Sequence, residues 1–238
     1  MSTAGYDQGF WDRYFRYYDA LEQFEPYREM LDLVARLCEP ARGVRILDVG
    51  AGTGNLLSRL RAAGATAVAL DANDRGLARA ASKGPSVPCI RATLDSPLPI
   101  RPASFERVTA VNVLYTLSPA AAERCLREVR RVLRPGGRFV FVTPVEGAKP
   151  QMVYVESVRR WWREQGPIGA ARRMARVIVP TVAILAYNER IRRQGDQGAF
   201  RFFREVELRE ELVRAGFEVG EIGRTYANQA WIGSAVSR

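Results

Sequence analysis

Between residues 41 and 143, short apolar runs alternate with segments of helical period. Val44-Arg45-Ile46-Leu47-Asp48-Val49 reads as a strand, and Asn55 to Ala63 as a helix stopped by Gly64. Thr66 to Leu70 is a second strand and Asp74 to Ser82 a second helix. Val87 to Arg91 and Phe105 to Val111 follow as strands. Ser118 is placed to cap a helix with Pro119 at its first position, running to Leu133. Arg134-Pro135-Gly136-Gly137 breaks it, and Arg138 to Val142 is a fifth strand. The pattern resumes late in the chain: Val206 to Ala215 as a helix ended by Gly216, then strands Phe217 to Ile222 and Ala230 to Val236. Alternation of this kind predicts an α/β fold of mostly parallel strands joined by right-handed crossovers.

Two segments stand outside the alternation. The aromatic-rich start, Tyr6 to Leu37, reads as helical, with Leu31, Val34, Ala35 and Leu37 near the helical period. From Pro144 to Glu205 the strand pattern lapses, which predicts a partly helical insertion. Its first part places Val155, Val158 and Trp162 on one stripe, with Arg159, Arg160 and Arg163 elsewhere. Its second part sets Arg172, Arg173 and Arg176 before the apolar run Val177 to Leu185, the composition of an interfacial helix. The alternative is a helical subdomain whose apolar face packs on the core behind a solvated arginine face. The expected division is a helical cap over 1–40, a core over 41–143 and 206–238, and a helical lid over 144–205.

Composition changes this picture in three places. The 238 residues contain no histidine, which excludes a Ser-His-Asp triad, a histidine base and a histidine-ligated metal. Cys38, Cys89 and Cys125 are far apart with no CxxC pair, and are expected to be buried thiols in a reduced compartment. No metal site is expected. The net charge of +10 is concentrated: Ser157 to Arg204 holds 11 arginines against three acids. Met1 to Phe10 has no basic start or apolar run, and the longest apolar stretch, Val177 to Tyr187, is 11 residues with Pro180 inside, too short to span a bilayer. A cytoplasmic chain is expected, peripheral at the inner membrane face at most.

The strongest chemical signal is Asp48-Val49-Gly50-Ala51-Gly52-Thr53-Gly54, between a strand and a helix. Glycines there let a ligand approach the backbone closely. The pattern is G-x-G-x-G, and Asn55 stands where dinucleotide binders continue their spacing. Asp48 would repel a pyrophosphate and favour a ligand with a cationic amino group. Asp71, 17 residues after Gly54 at the end of the second strand, is placed to accept hydrogen bonds from a ribose diol.

These motifs resemble the class I S-adenosylmethionine-dependent methyltransferases, near the ubiquinone and menaquinone methyltransferase branch. Asp48 to Gly54 matches that family's cofactor loop, and Asp71 its ribose-binding acid. Asp95-Ser96-Pro97-Leu98-Pro99-Ile100 with Ser104-Phe105, Val111-Asn112-Val113-Leu114, Leu126 to Gly137, Leu212 to Phe217, and Tyr18-Asp19 are similar to further passages of the family. The resemblance covers roughly residues 14 to 143 and 206 to 236. It implies a Rossmann-like fold with a seven-stranded sheet and helices on both faces, and S-adenosylmethionine as cofactor. By the same resemblance Asp48 holds the methionine amino group, directly or through water, while Gly50, Gly52 and Gly54 line the methionine moiety with Asn112 beside it, and Ala51 belongs to the same cofactor-binding loop. Asp71 holds the ribose, and Ala72, Thr93 and Leu94 frame the adenine. Two positions depart from the pattern: Thr93 stands where the family often has an adenine-binding Asp, and Glu106 where Asp is usual.

Methyl transfer from a sulfonium needs chiefly alignment and desolvation of the nucleophile. If a base is used, the absence of histidine leaves Tyr18, Asp19, Tyr115, Glu146 and Tyr226; Tyr115 and Glu146 follow strands four and five at the carboxyl edge of the sheet. The expected acceptor is a small, lipophilic metabolite, with peripheral membrane contact through the lid as one version. Nucleic-acid methylation is the alternative raised by the charge. Asn112-Val113-Leu114-Tyr115, in place of the Asn-Pro-Pro-Tyr motif of base-amine methyltransferases, argues against it, as does the lack of an appended RNA-binding module. A non-catalytic adenosylmethionine-binding subunit is the other alternative.

Overall fold

The computed structural model describes residues 8–84, 87–195 and 200–238. Tyr6, the polar start before Gln8, and part of the insertion's end lie outside these residues. The aromatic start is helical, as α1 (Gln8–Tyr18) and α2 (Glu25–Cys38) joined by a 3-10 turn over Asp19–Gln23. Phe24 is extended at the start of α2, and Pro26 in its first turn lacks the N–H that would continue a helix through this point.

The core then alternates: β1 (Arg45–Val49), α3 (Asn55–Ala62), β2 (Thr66–Asp71), α4 (Asp74–Ser82), β3 (Cys89–Arg91), β4 (Phe105–Val111), α5 (Pro119–Val132) and β5 (Leu133–Pro144). Side chains cap two of the helices. Asn73 Oδ1 accepts from the Gly76 N–H at 2.8 Å at the start of α4. Ser118 Oγ accepts from the Ala121 N–H at 3.3 Å at the start of α5, with Pro119 as its first residue. β5 begins five residues earlier than the glycine pair suggested. Leu133 already pairs with Phe105, and the register shift between Phe105 and Arg107 absorbs the Pro-Gly-Gly segment as an irregularity within the strand.

The insertion forms α6 (Gln151–Gly195), a helical stretch broken at Gly166, where φ is 68° and ψ −179° and Pro167 follows. Then come α7 (Glu205–Arg214), β6 (Phe217–Thr225) and β7 (Ala230–Ser237). The seven strands lie in the order β3-β2-β1-β4-β5-β7-β6. β1 to β5 are parallel; β7 runs antiparallel between β5 and β6. A short turn joins β6 to β7, which permits only an antiparallel pair.

Each strand sends alternate residues to opposite faces. Leu47, Val49, Val108, Ala110, Phe139 and Phe141 pack against α5 and α7 on one side. Ile46, Ala67, Ala69, Val140 and Val142 pack against α2, α3 and α6 on the other. The inward stripe of the first arm of α6 is Val153, Ser157 and Trp161, all fully buried, with Tyr154 beside them. The expected stripe of Val155, Val158 and Trp162 is therefore corrected by about one residue, and Val155 and Trp162 are exposed. Trp161 sets this rotation. Its ring stacks on Phe24 at 5.6 Å, its Nε1 donates to the Glu25 carboxylate at 2.9 Å, and the Arg173 guanidinium lies 4.7 Å from its centroid. The cysteines differ too. Cys38 and Cys125 are buried, and burial pushes both thiols up to about 12, but Cys89 is exposed because β3 is the edge strand. Among the described residues no helix is long and apolar enough to cross a membrane.

Candidate active site

The carboxyl ends of β1, β2 and β4 open onto one cleft. At the end of β1 the chain turns back so that the N–H groups of Gly50 and Ala51 both donate to the Leu70 carbonyl, at 2.8 and 3.0 Å. Gly50 has φ of 71°, and a Cβ there would lie 2.4 Å from Val113 Cγ2, so only glycine fits. A Cβ on Gly52 would meet the Phe15 ring at 3.2 Å, which places α1 directly over the turn. Gly54 does not line the cleft; it precedes α3, and a Cβ there would lie 2.8 Å from Ala80 Cβ of α4.

Two carboxylates flank this turn. Asp48 is 3% exposed, and its Oδ1 accepts from Thr109 Oγ1 at 2.7 Å. Burial pushes its carboxyl up to about 7, against the Thr109 hydrogen bond and with a smaller contribution from Asp71. Asp71 Oδ2 accepts from the Gly52 N–H and Oδ1 from the Asn73 N–H, both at 2.8 Å. Burial still holds Asp71 above the ordinary carboxylate range. Asn112, at the end of β4, has φ of 52°, and its buried Oδ1 has no partner among the described residues. A buried amide oxygen without a donor costs free energy until a ligand supplies one.

The remaining expected residues divide. Ala51, Ala72 and Leu94 line the cleft with Asp48, Asp71, Gly50, Gly52 and Asn112. Thr93 does not, although Ala92 and Leu94 on either side do; it lies beside the Asp95 carboxylate instead. Of the candidate bases, Tyr18, Tyr115 and Tyr226 line the cleft. Burial raises all three phenols above their ordinary value, so they stay protonated at neutral pH and act as donors. Glu146 is exposed and outside the cleft, because Val145 before it takes the inward position after β5. Asp19 lies behind the turn, accepting from Thr53 Oγ1 at 2.6 Å and from Lys83 Nζ at 2.9 Å. Glu106, the departure from the usual Asp, lies away from the cleft and accepts from the Arg45 N–H at 2.8 Å.

Sequence reasoning did not single out the wall from α6: Asn188, Ile191 and Arg192 line the cleft, and Tyr14 of α1 donates to Asn188 Oδ1 at 3.1 Å. Phe202 lines it as well, stacked on Tyr115 at 6.1 Å. No local signal marks these residues; they reach the cleft only because α6 folds back over α1. Among the described residues no cluster of three or more His, Cys, Asp or Glu is placed to hold a metal.

A mostly parallel sheet with a glycine turn and acids at two adjacent strand ends defines a nucleotide-type cofactor fold. Residues 47–141 match the family described as Methyltransferase domain. The malonyl-[acyl-carrier protein] O-methyltransferase of Geobacter sulfurreducens is 31% identical over 210 residues, 86% of this chain and 66% of that protein. The enzyme of the same description from Erwinia pyrifoliae is 32% identical over 136 residues, 57% of this chain and 48% of that one. The chain spans about half the length of the first of the curated relatives it matches. Among solved structures, an S-adenosylmethionine-dependent methyltransferase from Aquifex aeolicus superposes with a TM-score of 0.61 at 15% identity, covering 98% of this chain and 100% of that one. The chain belongs to the class I S-adenosylmethionine-dependent methyltransferases. S-adenosylmethionine is the cofactor of that class, and the donor set fits it: a buried acid for an ammonium, a second acid for a diol, and an unpartnered amide oxygen between the turn and the phenols.

Proposed function

We propose that this protein transfers a methyl group from S-adenosylmethionine to a small, lipophilic acceptor. The observation that carries the reading is the pair of carboxylates, buried Asp48 and half-buried Asp71, on either side of a glycine turn at adjacent strand ends. Asp48 holds the cofactor's amino group and Asp71 its ribose hydroxyls. Gly50, Ala51 and Gly52 leave room for the methionine part beside Asn112, and Ala72 and Leu94 frame the adenine. The cofactor supplies an activated methyl group on a sulfonium.

The protein's share is alignment and exclusion of water. Trp11, Phe15, Tyr18, Leu117, Ile191 and Phe202 line the cleft, so an apolar acceptor gains burial there while a highly polar one loses hydration without replacement. Tyr18 and Tyr115, kept protonated by burial, orient the acceptor as donors and do not take its proton. An amine or a phenolate, which needs no base, suits this site. Peripheral contact with a membrane suits a lipophilic acceptor, and the methyl transfer does not depend on it.

Calorimetry with adenosylhomocysteine tests the cofactor assignment. Asp71→Ala is expected to weaken binding by about 1–3 kcal/mol. Unchanged affinity in a folded variant sinks the assignment. A labelled-methyl screen across acceptors of graded polarity tests the substrate class, and equal turnover of lipophilic and highly polar acceptors removes it.

A further inference from the structure

The arm of α6 after Gly166 is apolar on two opposite sides. Inward, Ala170, Val177, Thr181, Ile184 and Ile191 are buried at helical spacing. Outward, Ile168, Val179 and Val182 are 71%, 69% and 58% exposed, with exposed Ala175 in the same row. At 100° per residue these four fall within one stripe about 60° wide, opposite the buried one. The stripe runs from residue 168 to 182, a length of about 21 Å at the helical rise. Arg172 and Arg176 lie exposed along one edge of it, and neither pairs with a carboxylate among the described residues. The whole of α6 holds nine arginines against three glutamates.

We infer that this outward stripe docks the protein on an anionic lipid surface, with Ile168, Val179 and Val182 entering the acyl boundary and Arg172 and Arg176 reaching the lipid phosphates. Exposed aliphatic side chains edged by cations match such a surface on both counts: the apolar row leaves water, and the guanidinium heads meet anions while their stems stay on the apolar side. A second copy of the chain is the poorer occupant. A two-fold contact through this stripe brings Arg172 and Arg176 against the same arginines with no acid to offset them. The inward side of the same arm supplies Asn188 and Ile191 to the cleft, so docking sets the wall of the acceptor site at the lipid boundary. That consequence rests on the lipophilic acceptor of the proposed function; the docking itself does not.

The test is sedimentation of the full chain with vesicles of phosphatidylcholine alone and of phosphatidylcholine with phosphatidylglycerol, each at low and high salt. Wild type is expected to bind the anionic vesicles, more weakly as salt rises. Val179→Asp/Val182→Asp is expected to lose at least about tenfold in partitioning, since each change sets a charge in the acyl boundary, with melting temperature and adenosylhomocysteine affinity unchanged. Arg172→Glu/Arg176→Glu is expected to abolish the preference for anionic lipid. No binding to any vesicle overturns the inference, as does equal binding by wild type and Val179→Asp/Val182→Asp. Dimerisation in ultracentrifugation that Val179→Asp removes, without vesicle binding, assigns the stripe to a second copy instead. Calorimetry on the same samples separates the two readings: vesicle binding without adenosylhomocysteine binding overturns the proposed function and leaves the docking, and the reverse result does the opposite.

Discussion

At the scale of single residues the cleft is dominated by Asp48. Its buried carboxyl sits at about 7 in the folded chain against 3.8 as an ordinary aspartate. The folded state therefore holds this proton more tightly than the unfolded state. Stability from this group falls as pH rises from about 4, and the loss is complete above about 7. A cationic amino group placed beside Asp48 reverses the penalty, so binding is coupled to loss of the proton. Adenosylhomocysteine affinity is expected to rise between roughly pH 5.5 and 7, by up to about tenfold per unit, and to level off above. Asp48→Asn is expected to bind weakly with no slope across that window, and calorimetry over the pH series checks both. A flat wild-type profile contradicts the assigned role. Burial also decides the phenols: in a chain without histidine Tyr18, Tyr115 and Tyr226 are base candidates, Tyr115 also by its place after β4, and the same desolvation that raises Asp48 keeps them protonated.

At the scale of elements, α6 holds the molecule together around Trp161. The indole is fully buried, bonded to Glu25 of α2 and covered by Arg173 from beyond the Gly166 break. One side chain thus joins α2 to both arms of α6. Trp161→Ala is expected to destabilise the protein by about 3–5 kcal/mol, through lost burial and an indole-sized cavity. Trp161→Phe, which keeps most of the ring area but loses the Glu25 hydrogen bond, is expected to cost less. Urea denaturation of the two variants measures the difference. A loss under about 1 kcal/mol for Trp161→Ala shows that the lid docks through other contacts.

Over the whole molecule, the cleft is built from three separate parts: the sheet edge, the aromatic face of α1 and the returning arm of α6. A ligand seated there touches all three and stabilises them together. Adenosylhomocysteine at about one hundred times its dissociation constant is expected to add roughly 2.7 kcal/mol. For a chain of this size that raises the melting temperature by roughly 5–10 °C. Scanning calorimetry reads it, and the Asp71→Ala variant, compared at the same ligand concentration, is expected to show a smaller rise. An absent shift in wild type means that the three parts do not form one binding site.

Much of the core is legible in the sequence, because strand and helix periods and the glycine turn are local properties. The spacing from Val44 to Val111 placed β1, β2 and β4 with their helices, and the Asp48 to Gly54 loop and Asp71 fell at strand ends as read. Asp48 was legible as an acid facing a cationic group; its raised carboxyl was not, since desolvation depends on neighbours that the chain brings in from β4. The rotation of α6 was likewise decided in three dimensions. Val155, Val158 and Trp162 and the observed row of Val153, Ser157 and Trp161 lie about one residue apart on the same helix. What selected between them was the pocket that Phe24, Glu25 and Arg173 build for Trp161. The place of β7 between β5 and β6, the removal of Glu146 from the cleft and the arrival of Asn188 and Ile191 in it are likewise set by tertiary packing. The sequence alone determined which segments form strands and helices and where the cofactor loop lies, through short-range period and turn chemistry. Tertiary packing alone decided which face of α6 turns inward, because apolar residues on both sides of that helix leave the choice to the surfaces they meet.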